Sequence, residues 1–343
     1  MQETTTRMGS GKSNSKLGPE TPVIEAGRLS MRKRLRALER AIPRAYECEP
    51  GHDRPIHRLR VATRRAGATL RSFADLIPSD HSKPIKKQLR SIRRAAGPAR
   101  TADVHTLQFQ AWYRDANAVL RPALAYIMGR LREERAAEQI AVRAVTTESA
   151  IDAIRSLRRA LNTDLQTAAK KPSAAQSQSL HDYTIRMLPS LADRAQEVSR
   201  RMSTIDDMHA FRIEGKRLRY AIESLAPAIP DHADEALGRL ANLQKYLGDL
   251  NDASELLARI TAYHADLENI NLNPQLLDAL AIVEHGLNRR LDAKRDAFLT
   301  WWGDRGIHWL LAPVRDACKQ QPNSAGERDA SGRIDADHER AAG

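Results

Sequence analysis

The sequence predicts an all-α protein, and three observations carry that expectation. Apolar residues recur three and four positions apart over nearly the whole chain, as one face of a 3.6-residue helix requires. No stretch shows the strict alternation of a half-buried strand. Ala, Leu, Arg and Glu dominate, while β-branched residues are scarce and aromatics make up only 4% of the 343 residues, so backbone propensity favours helix as well.

The expected helices of the first half follow in order. Residues 24–41 align Met31, Leu35 and Leu38 on one stripe, and residues 57–76 do the same with Leu59, Ala66, Leu70 and Phe73. Residues 83–96 set Ile85, Leu89 and Ile92 against a basic face, and residues 104–114 continue the pattern after a break. Residues 120–145 carry Leu124, Ile127 and Leu131, and residues 151–169 carry Ile154, Leu157, Leu161 and Leu165. At the break, Gly97 is expected to end one helix and Asp103 to open the next; Gly248 and Asp252 repeat the arrangement in the second half.

Polar, Gly- and Ser-rich ends predict disordered tails over residues 1–22 and 319–343. The tripeptide Gly11-Lys12-Ser13 lacks the first glycine and preceding strand of a phosphate-binding loop and is read as tail. Residues 171–179, with Pro172 and several serines, read as a linker between a half at 23–170 and a half at 180–318. No apolar run reaches the roughly 18 residues of a membrane span, and the polar start lacks a signal peptide's apolar segment, so a cytoplasmic protein is expected. Cys48 and Cys318 have neither metal-ligand nor redox spacing. His52, His81, His105 and His181 show no metal spacing and are read as structural or exposed, and Trp301, Trp302 and Trp309 as core anchors of a final helix.

The formal charge of +12 points to a polyanionic partner. Between Arg54 and Arg100 thirteen Lys and Arg face only Asp75 and Asp80, a formal +11, so the first half is expected to dominate the attraction. Within that segment the phrase HRLRVATRR opens at His57, and HAFRIEGKR repeats it from His209. On a helical wheel advancing about 100° per residue, His57, Arg60, Arg64 and Arg71 share one narrow sector, opposite the apolar stripe. His209, Arg212, Lys216 and Arg219 do the same, opposite Phe211, Leu218, Ile222 and Leu225. Leu89, Ile92 and Gly97 are likewise matched 151 residues on by Leu240, Leu243 and Gly248, so one unit is read as written twice. The copies differ. Lys83, Lys86, Lys87, Arg90, Arg93 and Arg94 make a second basic face in the first half; the second keeps Lys245 but has Ala241 and Gln244 where Arg90 and Arg93 align.

These paired phrases, each followed by a Gly and an Arg or Asn near an Asp, resemble the CHAD family, the conserved histidine α-helical domain, over roughly residues 23–318. The resemblance implies two pseudo-symmetric four-helix halves, with basic residues lining a central cleft that binds inorganic polyphosphate. Family members associate with polyphosphate granules or with polyphosphate-metabolising domains. The ligand-facing set it implies is His57, Arg60, Arg64, Arg65, His209, Arg212, Lys216, Arg217 and Arg219; the basic faces add Arg71, Arg90, Arg94 and Lys245. The chain departs from the family at Thr101, where an Asp is common, and at Gly67, where Arg219 aligns in the second copy. The Glu-x-Glu-x-Lys run of an appended tripolyphosphatase domain does not occur.

A polyphosphate chain offers repeated phosphoryl oxygens and no side-chain identity, which suits stripes of cations whose arginines fork onto phosphate. Histidines beside those arginines are expected to make binding stronger below about pH 7. The stripes contain almost no carboxylate, which argues against catalysis, and no cofactor or metal site is expected. The rival reading, a nucleic-acid or general polyanion binder, uses the same charge but lacks aromatic stacking platforms and a recognition-helix motif.

Overall fold

A computed structural model of the chain describes residues 17–49, 53–269 and 273–319. The first half comprises α1 (Val23–Tyr46), α2 (Asp53–Ser72), a 3₁₀ turn (Ala74–Leu76), α3 (Ser79–Asp115), α4 (Arg121–Val145) and α5 (Glu148–Ala168). One helical turn, α6 (Ala174–Ser177), interrupts the linker. The second half comprises α7 (Leu180–Ser199), α8 (Ile205–Leu225), a 3₁₀ turn (Ala226–Ala228), α9 (Pro230–Asn269), α10 (Pro274–Gly303) and α11 (Gly306–Lys319). Each half therefore carries five long helices among the described residues, one more than the four that the resemblance implies. The all-α expectation holds, and the described residues contain no strand, only an isolated antiparallel bridge between Pro22 and Ser179.

The halves use the same neighbour relations. In the first, α1 packs on α2 and α5, α2 on α3, and α3 on α4; in the second, α7 packs on α8 and α11, α8 on α9, and α9 on α10. They meet where α2 packs on α8 and α4 on α10. The apolar stripes cause this. Leu59, Ala66 and Leu70 of α2, Phe73 just beyond its end, and Phe211, Leu218, Ile222 and Leu225 of α8 are all buried in one core that runs through both halves. A second core lies where the α3–α4 and α9–α10 hairpins meet, built on Phe109, Ile127 and Leu131 against Leu256, Ile260 and Leu280. Around that core Arg130 pairs with Asp266 at 3.0 Å and Arg259 with Glu134 at 3.2 Å.

Side-chain caps set several helix starts. Thr147 accepts from the Ala150 amide, Ser179 from that of Asp182, and Thr204 forms a reciprocal box with Asp207. Gly306, at φ +66°, makes the left-handed step that separates α11 from α10. Trp301, Trp302 and Trp309 gather there around Phe298 and Tyr246, anchoring α10 and α11 rather than a single last helix.

Two expectations are corrected. Neither Gly97 nor Gly248 ends a helix: α3 runs unbroken through Gly97-Pro98, and α9 through Gly248. Pro and Gly disfavour helix locally by about 3 and 1 kcal/mol. Tertiary packing outweighs them, because Ala95, Ala96, Ala99 and Ala102, and in α9 Leu247, Leu250 and Ala253, are buried on one helical face through the junction. Asp103 is consequently no cap but a buried partner of Arg135. The second correction concerns the N-terminal tail. Residues 17–22 lie against the start of α7, where Thr21 and Pro19 carbonyls accept from the Leu180 and His181 amides at 2.8 and 2.9 Å. Gly11-Lys12-Ser13, His52 and residues 320–343 lie outside the described residues.

Candidate anion-binding site

The basic faces of α2, α3 and α8 converge on one cavity of about 680 Å³ at the seam between the halves. Helix α2 contributes Arg64 and Arg71, α3 contributes Lys86, Arg90 and Arg93, and α8 contributes Lys216 and Arg217. No carboxylate lines it; Thr63, Tyr220 and the apolar side chains of Leu70, Leu89 and Ile213 complete the wall. The seam is closed beneath by a buried hydrogen bond between the Thr69 and Ser224 hydroxyls, 3.1 Å apart, and Arg64 donates to the Tyr220 hydroxyl at 3.5 Å. Five of the seven cations come from the first half, in line with the uneven charge of the two halves.

Crowded like charges shift protonation equilibria. The Lys216 ammonium is pulled down to about 7, chiefly by burial and then by the fields of Arg212 and Arg64. Arg71 is lowered by burial and by Arg217 and Arg93. Arg60 is brought down to about 10 by burial, with Arg64 and Arg100 adding to it. Arg217 is paired with Glu214 on its own helix; the other six cations form no ion pair among the described residues, and an anion in the cavity relieves their crowding.

The other residues of the expected set lie elsewhere. Arg60 folds its guanidinium over Gly97 and donates to the Ala96 carbonyl at 3.3 Å. A Cβ at Gly97 would sit 3.1 Å from that guanidinium, so this glycine serves close approach rather than a helix end. Arg212 lies over Gly248 in the same manner and faces Asp252 at 4.0 Å. Arg60 and Arg212 thus hold helix to helix. His209 hydrogen-bonds the Asn251 side chain beside Glu255, away from the cavity. His57 lines a different cleft, against α1. The wheel placed His57 and Arg64 in one sector, but they stand two turns apart, and the cavity occupies only the C-terminal half of α2. Arg65 pairs across the seam with Glu223 at 2.7 Å. Arg94, Arg219 and Lys245 are not among the lining residues, whereas Lys86, Arg93 and Tyr220 are. The α3 lysines and arginines were visible as a basic face; which of them turn inward depends on where α8 crosses, which no local pattern encodes.

Among the described residues no group of His, Cys, Asp and Glu could hold a metal ion. His81 pairs with Asp164 at 2.6 Å, His181 Nδ1 lies 3.2 Å from the Ala228 carbonyl, and buried His105 is pushed down to about 4 by desolvation and by Arg259. These three are structural. No helix of the described residues is long and apolar enough to cross a membrane.

The family profile described as the CHAD domain matches residues 30–261, well over half of the chain. Two solved structures are similar. One is the CHAD domain from the plant Ricinus communis, at TM-score 0.58 and 19% identity over 87% of this chain and 93% of that one. The other is PptA from Streptomyces chartreusis, at TM-score 0.55 and 16% identity over 82% of this chain and 100% of that one. At these identities the likeness concerns the fold. No curated protein sequence matches the chain.

Proposed function

The chain belongs to the CHAD domain family, and on that premise we propose that it is a non-catalytic binding module for inorganic polyphosphate, held in the cavity between α2, α3 and α8. One observation carries this reading: seven Lys and Arg side chains from both halves line one cavity without a single carboxylate. A cavity of that make-up selects dense negative charge and little else. It offers no carboxylate for metal-assisted or general-base attack on a phosphoanhydride. The same argument fits a role at polyphosphate granules, or beside proteins that make and consume polyphosphate.

Titration with polyphosphate of defined length at two salt concentrations, with single- and double-stranded DNA as competitors, tests the reading. Affinity is expected to fall by roughly 10³ or more between about 50 and 200 mM salt if six or more phosphates are engaged. Excess double-stranded DNA is expected not to displace the chain, because a duplex cannot enter a 680 Å³ cavity, and single-stranded DNA to displace it only weakly, because the cavity offers its bases no aromatic platform beyond Tyr220. Equal displacement by DNA would favour a general polyanion surface instead.

The pH dependence has a definite sign. In the empty site Lys216 titrates at about 7; a bound phosphate raises that value, so binding above pH 7 takes up a proton. Affinity is therefore expected to be flat below about pH 6.5 and to weaken by up to about tenfold per unit as pH rises from 7 towards 9. Lys216→Arg, which stays charged, should bind equally well across the range. An unchanged slope in that variant would assign the proton to another group. The pH sensitivity expected from His57 and His209 passes to Lys216, because neither imidazole lines this cavity.

A further inference from the structure

A second basic cleft, of about 340 Å³, lies between α1 and α2. It is lined by Arg34, Arg40 and Arg44 of α1 and by His57, Arg58 and Arg65 of α2, over a floor that includes Ala37, Ala41 and Val61. It shares no lining residue with the central cavity. On the α2 wheel, with His57 at zero, its residues fall between 0° and about 160°, whereas those of the central cavity fall between about 220° and 340°. The two sites therefore occupy opposite flanks of one helix.

The charge in this cleft is only partly met. Glu223, reaching across from α8, pairs with Arg65 at 2.7 Å and Arg34 at 3.4 Å. That ties down one end. Arg40, Arg44 and Arg58 form no ion pair among the described residues, and no carboxylate lines the cleft. Five guanidinium groups against the single Glu223 carboxylate match an anion of three to four charges, and the volume is half that of the central cavity.

We propose that the α1–α2 cleft is a second, independent anion site that takes a compact condensed-phosphate group of about three units. The requirement for both negative charge and small size follows from the unpaired arginines and the limited volume. Two sources supply such a group: a short stretch of inorganic polyphosphate and the triphosphate tail of a nucleotide. A protein with both sites filled would hold two separate phosphate segments, on either side of α2.

Calorimetry on the full chain at low salt, with tripolyphosphate and separately with ATP, tests this. Tripolyphosphate is expected to fill two sites per chain. Arg40→Ala with Arg58→Ala removes exposed side chains that hold nothing together; it should abolish one site and weaken the second by less than about threefold. Arg90→Ala with Arg93→Ala should remove the other site and leave the α1–α2 site intact. ATP binding that is lost with Arg40 and Arg58 identifies a nucleotide tail as an acceptable source; tripolyphosphate binding alone identifies the inorganic chain. A single tripolyphosphate site in wild type that survives Arg40→Ala with Arg58→Ala, or loss of all binding in the Arg90/Arg93 variant, overturns the second site. Failure of the central reading looks different: the Arg90/Arg93 variant would then bind like wild type, while the Arg40/Arg58 variant would not.

Discussion

Replacing Arg64, Arg71, Arg90 and Lys216 together by alanine is expected to weaken polyphosphate binding by about 10³-fold or more while the protein remains folded and melts at a higher temperature. The four side chains come from all three helices that line the cavity. A charge-assisted hydrogen bond to phosphate contributes about 1.5–3 kcal/mol, and even about 1 kcal/mol from each, after screening, sums to a thousandfold. The dependence of affinity on salt should become shallower by about three units of log–log slope, by analogy with single-stranded nucleic acid. The rise in melting temperature follows from the depressed Lys216 and Arg71: burial first and neighbouring cations second make their charged forms less favourable in the fold than in the unfolded chain, and neither makes a hydrogen bond among the described residues that its removal would forfeit, whereas Arg60, lowered likewise, donates to the Ala96 carbonyl. A double variant, Arg60→Ala with Arg212→Ala, serves as the contrast. Those guanidinium groups lie over Gly97 and Gly248, so their loss should cost stability more than affinity. Melting curves and titrations of both variants decide the matter. Wild-type affinity in the folded quadruple variant would remove the cavity from consideration as the site.

The contrast between these variants marks what a single sequence can disclose. The periodicity of α2 and α8 assigned their buried faces correctly, because Leu59, Phe73, Phe211 and Ile222 answer to one local rule, burial at helical spacing. It also put the cations on the opposite face. It could not say how far along that face the ligand cavity extends, since this is set by where α8 crosses α2. His57 and Arg64 share a sector and end up in different clefts for that reason. Gly97 illustrates the opposite limit. Gly-Pro is the strongest local signal for a helix end, yet the buried alanines on either side of it carry α3 through, and the missing Cβ is used by Arg60 instead. The α1–α2 cleft is not legible in the sequence, because Arg34, Arg40 and Arg44 form an ordinary solvated face until α2 is laid beside them.

The largest effect on stability is expected at Asp103→Ala. Asp103 on α3 and Arg135 on α4 form an ion pair at 2.6 Å, with side chains 2% and 3% exposed. Arg135 also donates to the Gln139 side-chain oxygen at 2.8 Å, and the Gln139 amide reaches the Ala45 carbonyl at the end of α1. One carboxylate therefore fixes a guanidinium that links α3, α4 and α1. Burying such a pair gains little over a well-packed apolar replacement, because both ions lose their hydration. Removing only the acid is another matter, for it strands the charge of Arg135 inside the protein. Loss of one partner of a buried pair costs about 3–5 kcal/mol, which for a chain of this size lowers the melting temperature by about 5–10 °C. The double variant Asp103→Ala with Arg135→Met should recover much of that loss, since methionine fills the space without charge. Denaturant melts of the two variants measure the difference directly. A loss below about 1 kcal/mol in the single variant would mean that water reaches Arg135 once the carboxylate is gone. Polyphosphate affinity of the folded fraction should stay unchanged in both, because neither Asp103 nor Arg135 lines the cavity between α2, α3 and α8.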